Sequence, residues 1–417
     1  MTLGSLSAMI SYSWADSDAA ELLHEELALR GFDVFHDRCS FPLGSRIGRN
    51  MADAVARCDA FVAYLTPSSL YLDKPDGMPR PAIDSEFLPV MKRWRRATSA
   101  GAARPGEPAA PVIAALTHGL GDPRTEAPQI VLKATGEDIS TLWTPDLDQL
   151  SSGITQPEAA MVARGVTRGV LGTQKKVAET GPLELVVTTR GEGQPPRFLS
   201  VDAARLLGGD ESRPGDPNDW DRFLSGIRDL QTGLAHWTSE RRLRILARAH
   251  ITACLAMGRV FNQAAGWQPT VAGRHGNISM PGTLDTESPV DVDVDAIGGP
   301  GAMTIEIDLI GGNVTDLATN VIRATDEAPR ARLQVRRKGT GNMVPTEVAV
   351  SAAVVANSIR EQVAQFRPTT TRIFCASPSE FAVLVGNNLT SLHTALQLYE
   401  RDGDHYVPSL LIPSTVP

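Results

Sequence analysis

Three short apolar runs near the N-terminus, Ala8 to Tyr12 (AMISY), Asp33 to Phe35 (DVF) and Ala60 to Leu65 (AFVAYL), are separated by segments long enough for a helix. Antiparallel neighbours can be joined by a tight turn, whereas parallel neighbours need a crossover, so this spacing predicts parallel βαβ units. The first crossover, Asp16 to Arg30 (DSDAAELLHEELALR), turns Ala19, Leu22, Leu23, Leu27 and Leu29 largely toward one side, with Asp16 or Ser17 as N-cap and Gly31 just past the end. That is a helix made to lie on a sheet. Ligands of doubly wound sheets bind beyond the carboxyl ends of the strands, which directs attention to Ser11 to Trp14, His36 to Gly48 and Thr66 to Leu70.

The remaining length demands more than one such sheet. At 417 residues and 42% apolar content the chain suits two or three domains, each burying its own core. A net charge of −8 argues against a sequence-independent nucleic-acid binder, which needs a broad cationic face, but leaves room for a small anionic ligand in a locally basic pocket. Cys39, Cys58, Cys254 and Cys375 are scattered, with no CxxC pair or Cys/His cluster. They read as reduced thiols with no zinc site. With no leader-like segment and no apolar run near the roughly 20 residues that span a bilayer, the expectation is a cytoplasmic protein that binds neither membrane nor DNA.

Punctuation divides the chain. Ala97 to Pro111 is rich in small residues, Pro and Gly, and reads as an insertion before a strand at Val112 to Leu116; Gln129 to Lys133 is expected to add another strand. From Asp138 the pattern loosens into a helical connector (PEAAMVARGVTRGVLG) closed by Gly181-Pro182, giving expected boundaries of 1–140, 141–182 and 183–417. The last segment opens with LELVVTTRG, continues through a long amphipathic stretch at Glu240 to Gly266 and a strand at Trp267 to Val271, and then repeats itself. Thr304 to Ile310, Val314 to Arg323 and Arg332 to Arg336 form one strand-helix-strand unit; Thr371 to Cys375, Ser379 to Leu389 and Leu396 to Tyr399 form another, with a helix at Val348 to Phe366 between them. Two related α/β lobes imply a shared cleft. The alternating DVDVD at Asp291 to Asp295 lacks the spacing of a calcium loop and fits an exposed strand edge or loop.

The N-terminal order of elements, with AMISYSWAD, then GFDVFHDRCSFPLGSRIGRNMADAVARCDAFVAYLTPSSL and AIDSEFLPVMKRW, resembles the TIR (Toll/interleukin-1 receptor) domain over roughly Leu6 to Asp138. From Leu183 onward, ARAHITACLAMGRVFNQAAGWQPTV and RIFCASPSEFAVLVGNNLTSLHTALQLYERDGDHYVPSLLIP resemble the two lobes of the SAVED domain, a sensor of cyclic oligonucleotides in bacterial CBASS antiphage defence. The resemblance implies an α/β fold: a flavodoxin-like parallel-sheet TIR domain, then a SAVED domain of two fused CARF or Rossmann-like lobes. It also implies an NAD+ glycohydrolase switched on by a cyclic oligonucleotide through oligomerisation or filament formation, with self as a partner. NAD+ is then substrate rather than cofactor, and a cyclic triadenylate-type ring is the expected activator. A non-enzymatic TIR scaffold that recruits partners after nucleotide sensing is the alternative.

Site residues follow from the same resemblance. Glu86 falls where NAD-cleaving TIR domains carry their catalytic glutamate, though an arbitrary helix carboxylate is usually just solvated. Ser11, Tyr12, Ser13, Trp14, Asp37, Arg38 and Ser69 are candidates for holding the substrate, Trp14 being equally a packing residue. Phe41, Leu43, Gly44 and Ser45 match the family's BB loop, which mediates contacts between TIR domains. A cyclic oligonucleotide needs backbone amides at strand-to-helix turns for its phosphates, cations for its charge and aromatic faces for its bases. Candidates for that role are Cys375, Ser377, Ser379, Tyr399, Arg401, Arg274 and His275, all near the carboxyl ends of expected strands.

Overall fold

The structure, a computed structural model, describes residues 6–35, 47–72, 82–99, 110–140, 142, 153–173, 182–190, 199–209, 215–239, 241–274, 276–282, 287–299, 301–325, 328–390 and 392–414. The chain forms two compact units, one of Met1–Ala178 with Thr232–Thr238 and one of Glu179–Gln231 with Ser239–Pro417.

In the first unit β1 (Ser7–Ser11), β2 (Asp33–Phe35), β3 (Ala60–Leu65) and β4 (Val112–Thr117) form a parallel sheet in the order β2-β1-β3-β4. The order reverses after β1, which makes the flavodoxin-like doubly wound pattern and opens a crevice at the carboxyl ends of β1 and β3. The crossovers are α1 (Ser17–Ala28), α2 (Ile47–Arg57), and a π-helical turn (Ala82–Phe87) that runs into α3 (Leu88–Ser99). Strand β3 is buried along its whole length, as expected of a central parallel strand covered on both faces. Ile83, Phe87, Val90 and Met91 close over it in one core with Phe61, Leu65, Leu70 and Leu120.

The strand expected at Gln129 to Lys133 is instead part of a helix, α4 (Glu126–Thr135). Ala127 and Val131, four residues apart, both reach zero exposure on its inner face, and Gly136 ends it at φ 77°. A helical period is hidden in so short an apolar run, and the glycine stop was the better signal. The helix expected between Asp138 and Gly181 is α5 (Gln156–Thr173), which packs within the first unit on α1 and β4; Gln156 donates to the buried Glu26 carboxylate at 3.1 Å. Arg93, within the basic KRWRR run, donates to the carbonyls of Val55 and Cys58 at 3.2 and 2.9 Å and so ties α3 to the end of α2.

The second unit holds two sheets. The first contains β5 (Leu183–Thr188), β6 (Leu199–Asp202), β7 (Arg242–Arg248), β8 (Gln268–Gly273) and β9 (Gly276–Ser279) in the order β6-β5-β7-β8-β9. The second contains β10 (Val290–Ala296), β11 (Met303–Asp308), β12 (Ala331–Arg337), β13 (Thr370–Ala376), β14 (Ala395–Asp402) and β15 (His405–Ile412) in the order β10-β12-β11-β13-β14-β15. Its helices are α6 (Pro217–Trp237), of which the residues up to Gln231 belong to this unit, α7 (Ile251–Val260), α8 (Val314–Ala324), α9 (Pro345–Phe366) and α10 (Ser379–Asn388). The DVDVD run is the antiparallel edge strand β10, exposed along most of its length, where alternating charge deters further pairing.

Glu240 to Gly266 is two elements rather than one amphipathic stretch. RLRILAR alternates with period two and is strand β7, while ITACLAMGRV, buried from Thr252 to Arg259, is α7. The repeat also needs correction: β11, β12, β13 and β14 belong to one sheet, so the two units proposed from the pattern are neighbours inside one lobe. The duplicated element is larger. Removing β10, the two sheets have the same order, with β5-β6-β7-β8-β9 matching β11-β12-β13-β14-β15, α6 matching α9 and α7 matching α10. Thus the ARAHITACLAMGRVFNQ and RIFCASPSEFAVLVGNN stretches are true counterparts.

The two lobes meet through α7 and α10, both almost wholly buried. A Cβ on Gly258 would stand 2.0 Å from the Val383 carbonyl oxygen, and one on Gly386 would stand 2.2 Å from that of Leu255. The reciprocity marks a crossing of equivalent helices with their backbones in contact, which only glycine permits.

Candidate functional site

At the carboxyl end of the TIR-like sheet the chain gathers short polar side chains. Thr66 donates from Oγ1 to the Asp16 carboxylate at 2.8 Å, joining the turn after β3 to the start of α1. Burial raises the Asp16 carboxyl above its ordinary value, against the lowering effect of that hydrogen bond and of His118. Tyr64 and His118 stack at 6.3 Å between ring centroids, and burial with the nearby Asp16 pushes the Tyr64 hydroxyl up to about 12. Thr66 lies in a segment the sequence points to and Asp16 reads there only as a helix cap, whereas His118 is added by the strand order, which sets β4 beside β3.

Glu86 lies in the π-helical turn and is only 8% exposed, unlike a solvated surface glutamate. Its turn packs against β1 and α2. The extra residue of a π turn displaces side chains from the ordinary helical row, a departure often found at functional sites. Ser11 and Tyr12 are buried at the end of β1, Ser13 is half-buried, and Trp14 is 74% exposed. The packing reading of Trp14 therefore fails, leaving an indole free to stack on a planar ligand. Ser69 is 1% exposed: its Oγ accepts from the Thr66 N–H at 2.8 Å and donates to the Thr66 carbonyl at 3.1 Å, so it closes a turn. Asp37, Arg38, Phe41, Leu43, Gly44 and Ser45 lie outside the described residues.

In the second unit several sequence candidates turn inward. The Cys375 thiol is buried, donates to Ser377 Oγ at 3.2 Å and is pushed up to about 12 by burial; Ser377 in turn donates to the Pro378 carbonyl. Tyr399 stacks on Phe374 at 4.3 Å within a small core that includes Tyr406, so its ring face is taken. The side chains of these three are thus engaged within the fold, and what the turn at Cys375 and Ser377 offers a ligand is its backbone. Ser379 is half-buried and donates to Glu380 at 3.3 Å. Arg401 donates to the carbonyls of Gly403 and Gly312 at 2.9 and 3.3 Å, and His275 lies outside the described residues.

Arg274 is exposed and borders a cavity of about 260 Å³ at the carboxyl ends of the strands, together with Ile310, Arg337, Pro378 and Glu380. Arg274 comes from the first lobe and the others from the second, so the cavity lies between the lobes. A second polar group sits at the ends of β5, β7 and β14. Thr189 Oγ1 and His250 Nδ1 are 2.8 Å apart, and Glu400 accepts from the Thr252 N–H at 3.1 Å and from Arg190 at 3.3 Å. Burial, then the charge of Arg190, drives the His250 imidazole down to about 4, so it is neutral near neutral pH.

Residues 9–133 match the TIR domain family, and residues 227–412 match the SAVED family, the SMODS-associated and fused to various effectors sensor domain. The chain is thus a fusion of a TIR domain to a SAVED sensor domain. Among solved structures it is similar to the Acinetobacter baumannii Cap4 SAVED/CARF-domain containing receptor with the cyclic trinucleotide 2'3'3'-cAAA, at 9% identity and TM-score 0.47 over 77% of this chain and 85% of that one. The same receptor with 3'3'3'-cAAA gives 11% and 0.46 over 96% and 98%, and the Moraxella osloensis Cap4 receptor 12% and 0.44 over 98% and 87%. No curated protein matches the chain. Among the described residues, no helix is long and apolar enough to cross a membrane.

Proposed function

We propose that the protein is a cyclic-oligonucleotide-activated NAD+ glycohydrolase of antiphage defence, in which a ring of the cyclic triadenylate type, bound between the SAVED lobes, turns on NAD+ depletion by the TIR domain. The observation that carries the reading is the presence of both domains on one chain, an effector fold joined to a sensor fold. The domain boundaries proposed from the sequence, 1–140, 141–182 and 183–417, divide the labour accordingly.

Cleavage of the nicotinamide–ribose bond releases a neutral pyridine from a cationic pyridinium, so departure needs no general acid. The ribose becomes oxocarbenium-like. A carboxylate beneath it is worth more in the transition state than in the ground state, which is the role proposed for Glu86. Its burial supports this, because a charge shielded from water acts more strongly on its neighbours. Trp14, exposed at the end of β1, is placed in the same proposal against a planar end of NAD+. Unrestrained NAD+ cleavage would harm its own cell, so activity is proposed to await assembly, a head-to-tail contact that does not close giving a filament.

The test is NAD+ turnover by the full chain with a panel of cyclic di-, tri- and tetranucleotides. Glu86→Gln is expected to lower activated turnover by about 100-fold or more while leaving calorimetric binding of the ring intact. Turnover near wild type in that variant favours the scaffold reading. Activity per molecule that does not change with protein concentration removes the assembly step.

A further inference from the structure

The lobes can be compared residue by residue at their strand ends. Thr188 pairs with Arg248 as Asp308 pairs with Ala376, so Arg190 corresponds to Ile310. Gln268 lies opposite Arg242 as Ala395 lies opposite Thr370, which makes Gly273 the counterpart of Glu400. Thr252 and Glu380 are the second residues of α7 and α10.

The two halves built from these positions differ. In one, the Glu400 carboxylate crosses from the second lobe to the first, where the Thr252 N–H and the Arg190 guanidinium meet it. In the other, Ile310 stands 64% exposed where Arg190 would be, and Gly273 has no side chain where Glu400 would be. The carboxylate has moved to the helix: a Cβ on Gly273 would stand 2.5 Å from Glu380 Oε1. This is the half that holds the cavity of about 260 Å³.

We propose that the Arg190–Glu400 pair is a latch that keeps one of two equivalent half-sites shut, and that an anionic ring opens it by drawing Arg190 onto a phosphate. The inference rests on the cyclic-oligonucleotide reading of this cleft and adds how the cleft responds. Arg190 sits where the strand order reverses between β5 and β7, the customary position for a phosphate in an open α/β sheet. Its side chain is 45% exposed against 4% for Glu400, so it can leave without baring the carboxylate. Glu400 keeps the α7 amide as donor when it does. A guanidinium also has more to gain from a phosphate than from the 3.3 Å hydrogen bond it gives Glu400, since its fork can donate twice.

The experiment is calorimetric titration of the full chain with 3'3'3'-cAAA and 2'3'3'-cAAA as probes. Arg190→Met should weaken binding about 10- to 100-fold, the worth of a charge-assisted hydrogen bond. Glu400→Gln retains an acceptor for Thr252 and frees Arg190, so it should tighten binding by about 3- to 10-fold. That opposition of sign is the signature of a latch. Wild-type binding with both variants weakened alike overturns the latch and spares the ligand reading, whereas a wild-type chain that binds neither probe overturns both. If Glu400→Gln does not stay folded, Arg190→Lys carries the test: recovery of part of the affinity lost in Arg190→Met supports the phosphate contact, and no recovery overturns it.

Discussion

The two lobes of the sensor share a sheet order, a pair of long helices and a glycine crossing, yet they handle charge at the cleft in opposite ways. The first lobe supplies Arg190 and a bare helix end at Thr252; the second supplies Glu400 to both. Where symmetry would repeat this arrangement, the chain has Ile310 and Gly273 and leaves space. The fold is therefore the duplicated part and the electrostatics the part that distinguishes the halves. Packing constrains equivalent positions equally, whereas a ligand without the same symmetry asks different things of each half.

The largest expected effect breaks what the lobes share. Gly258→Ala drives a methyl into a backbone carbonyl that cannot rotate away, and Gly386→Ala does the same from the other side. Each should destabilise the second unit by about 3 kcal/mol or more, at the upper end of overpacking costs. Gly282→Ala, which meets nothing within 4 Å, should shift stability by under about 0.5 kcal/mol and serves as the control. Urea midpoints of the three variants decide it; equal midpoints for Gly258→Ala and Gly282→Ala would mean that the helices separate at little cost.

Much of this architecture was readable beforehand, and the failures share a cause. β1 to β4, α1, α5, β11 and α9 are legible in period, capping and punctuation, with AFVAYL one of three short apolar runs spaced for parallel strands. α4 reads as a strand in the sequence because a short run of Ile130, Val131 and Leu132 does not reveal its period. The repeat is masked in the sequence because neighbouring strand-helix-strand units inside one lobe are alike, while the true copy lies a whole lobe away. Glu86 could be singled out only through the resemblance to the TIR domain, since by itself it reads as one more helix carboxylate. The Arg190–Glu400 pair could not, since its members are 210 positions apart and each looks like an ordinary charged residue at a strand end.

The next effect separates the lobes by pH. His250 follows β7 where Pro378 follows β13, and only the histidine titrates. It is buried against the edge of Trp220, with Thr189 on Nδ1, and its folded value is down near 4 from 6.5. Between those values the unfolded chain binds a proton that the folded chain refuses, so stability should rise with pH across that window and fall as acid is added. The full effect is about 3 kcal/mol. Glu400 works the other way above its ordinary value, because burial raises its carboxyl and the folded chain then holds the extra proton. The drop in urea midpoint from about pH 7 to pH 4.5 should therefore vanish or reverse in His250→Gln and deepen in Glu400→Gln. A wild-type difference that survives His250→Gln unchanged would place the acid sensitivity elsewhere.

The smallest effect makes the halves alike. Ile310→Arg with Gly273→Glu copies the Arg190–Glu400 pair into the open half, at positions the strand register identifies as equivalent. The new glutamate side chain begins close to Glu380, but Oε1 is the far end of a flexible side chain and can turn aside. Since Ile310 is exposed, the first substitution costs little packing. Filling the cavity should weaken binding of 3'3'3'-cAAA by about 10-fold, or about 1.4 kcal/mol, with the melting temperature within a few degrees of wild type. If the open half is where a base or phosphate first enters, the loss should appear mainly in the association rate, because the latch on the far side then has nothing to release it. Unchanged affinity in the double variant would show that the cavity is incidental and that the ring is held by the opposite half alone.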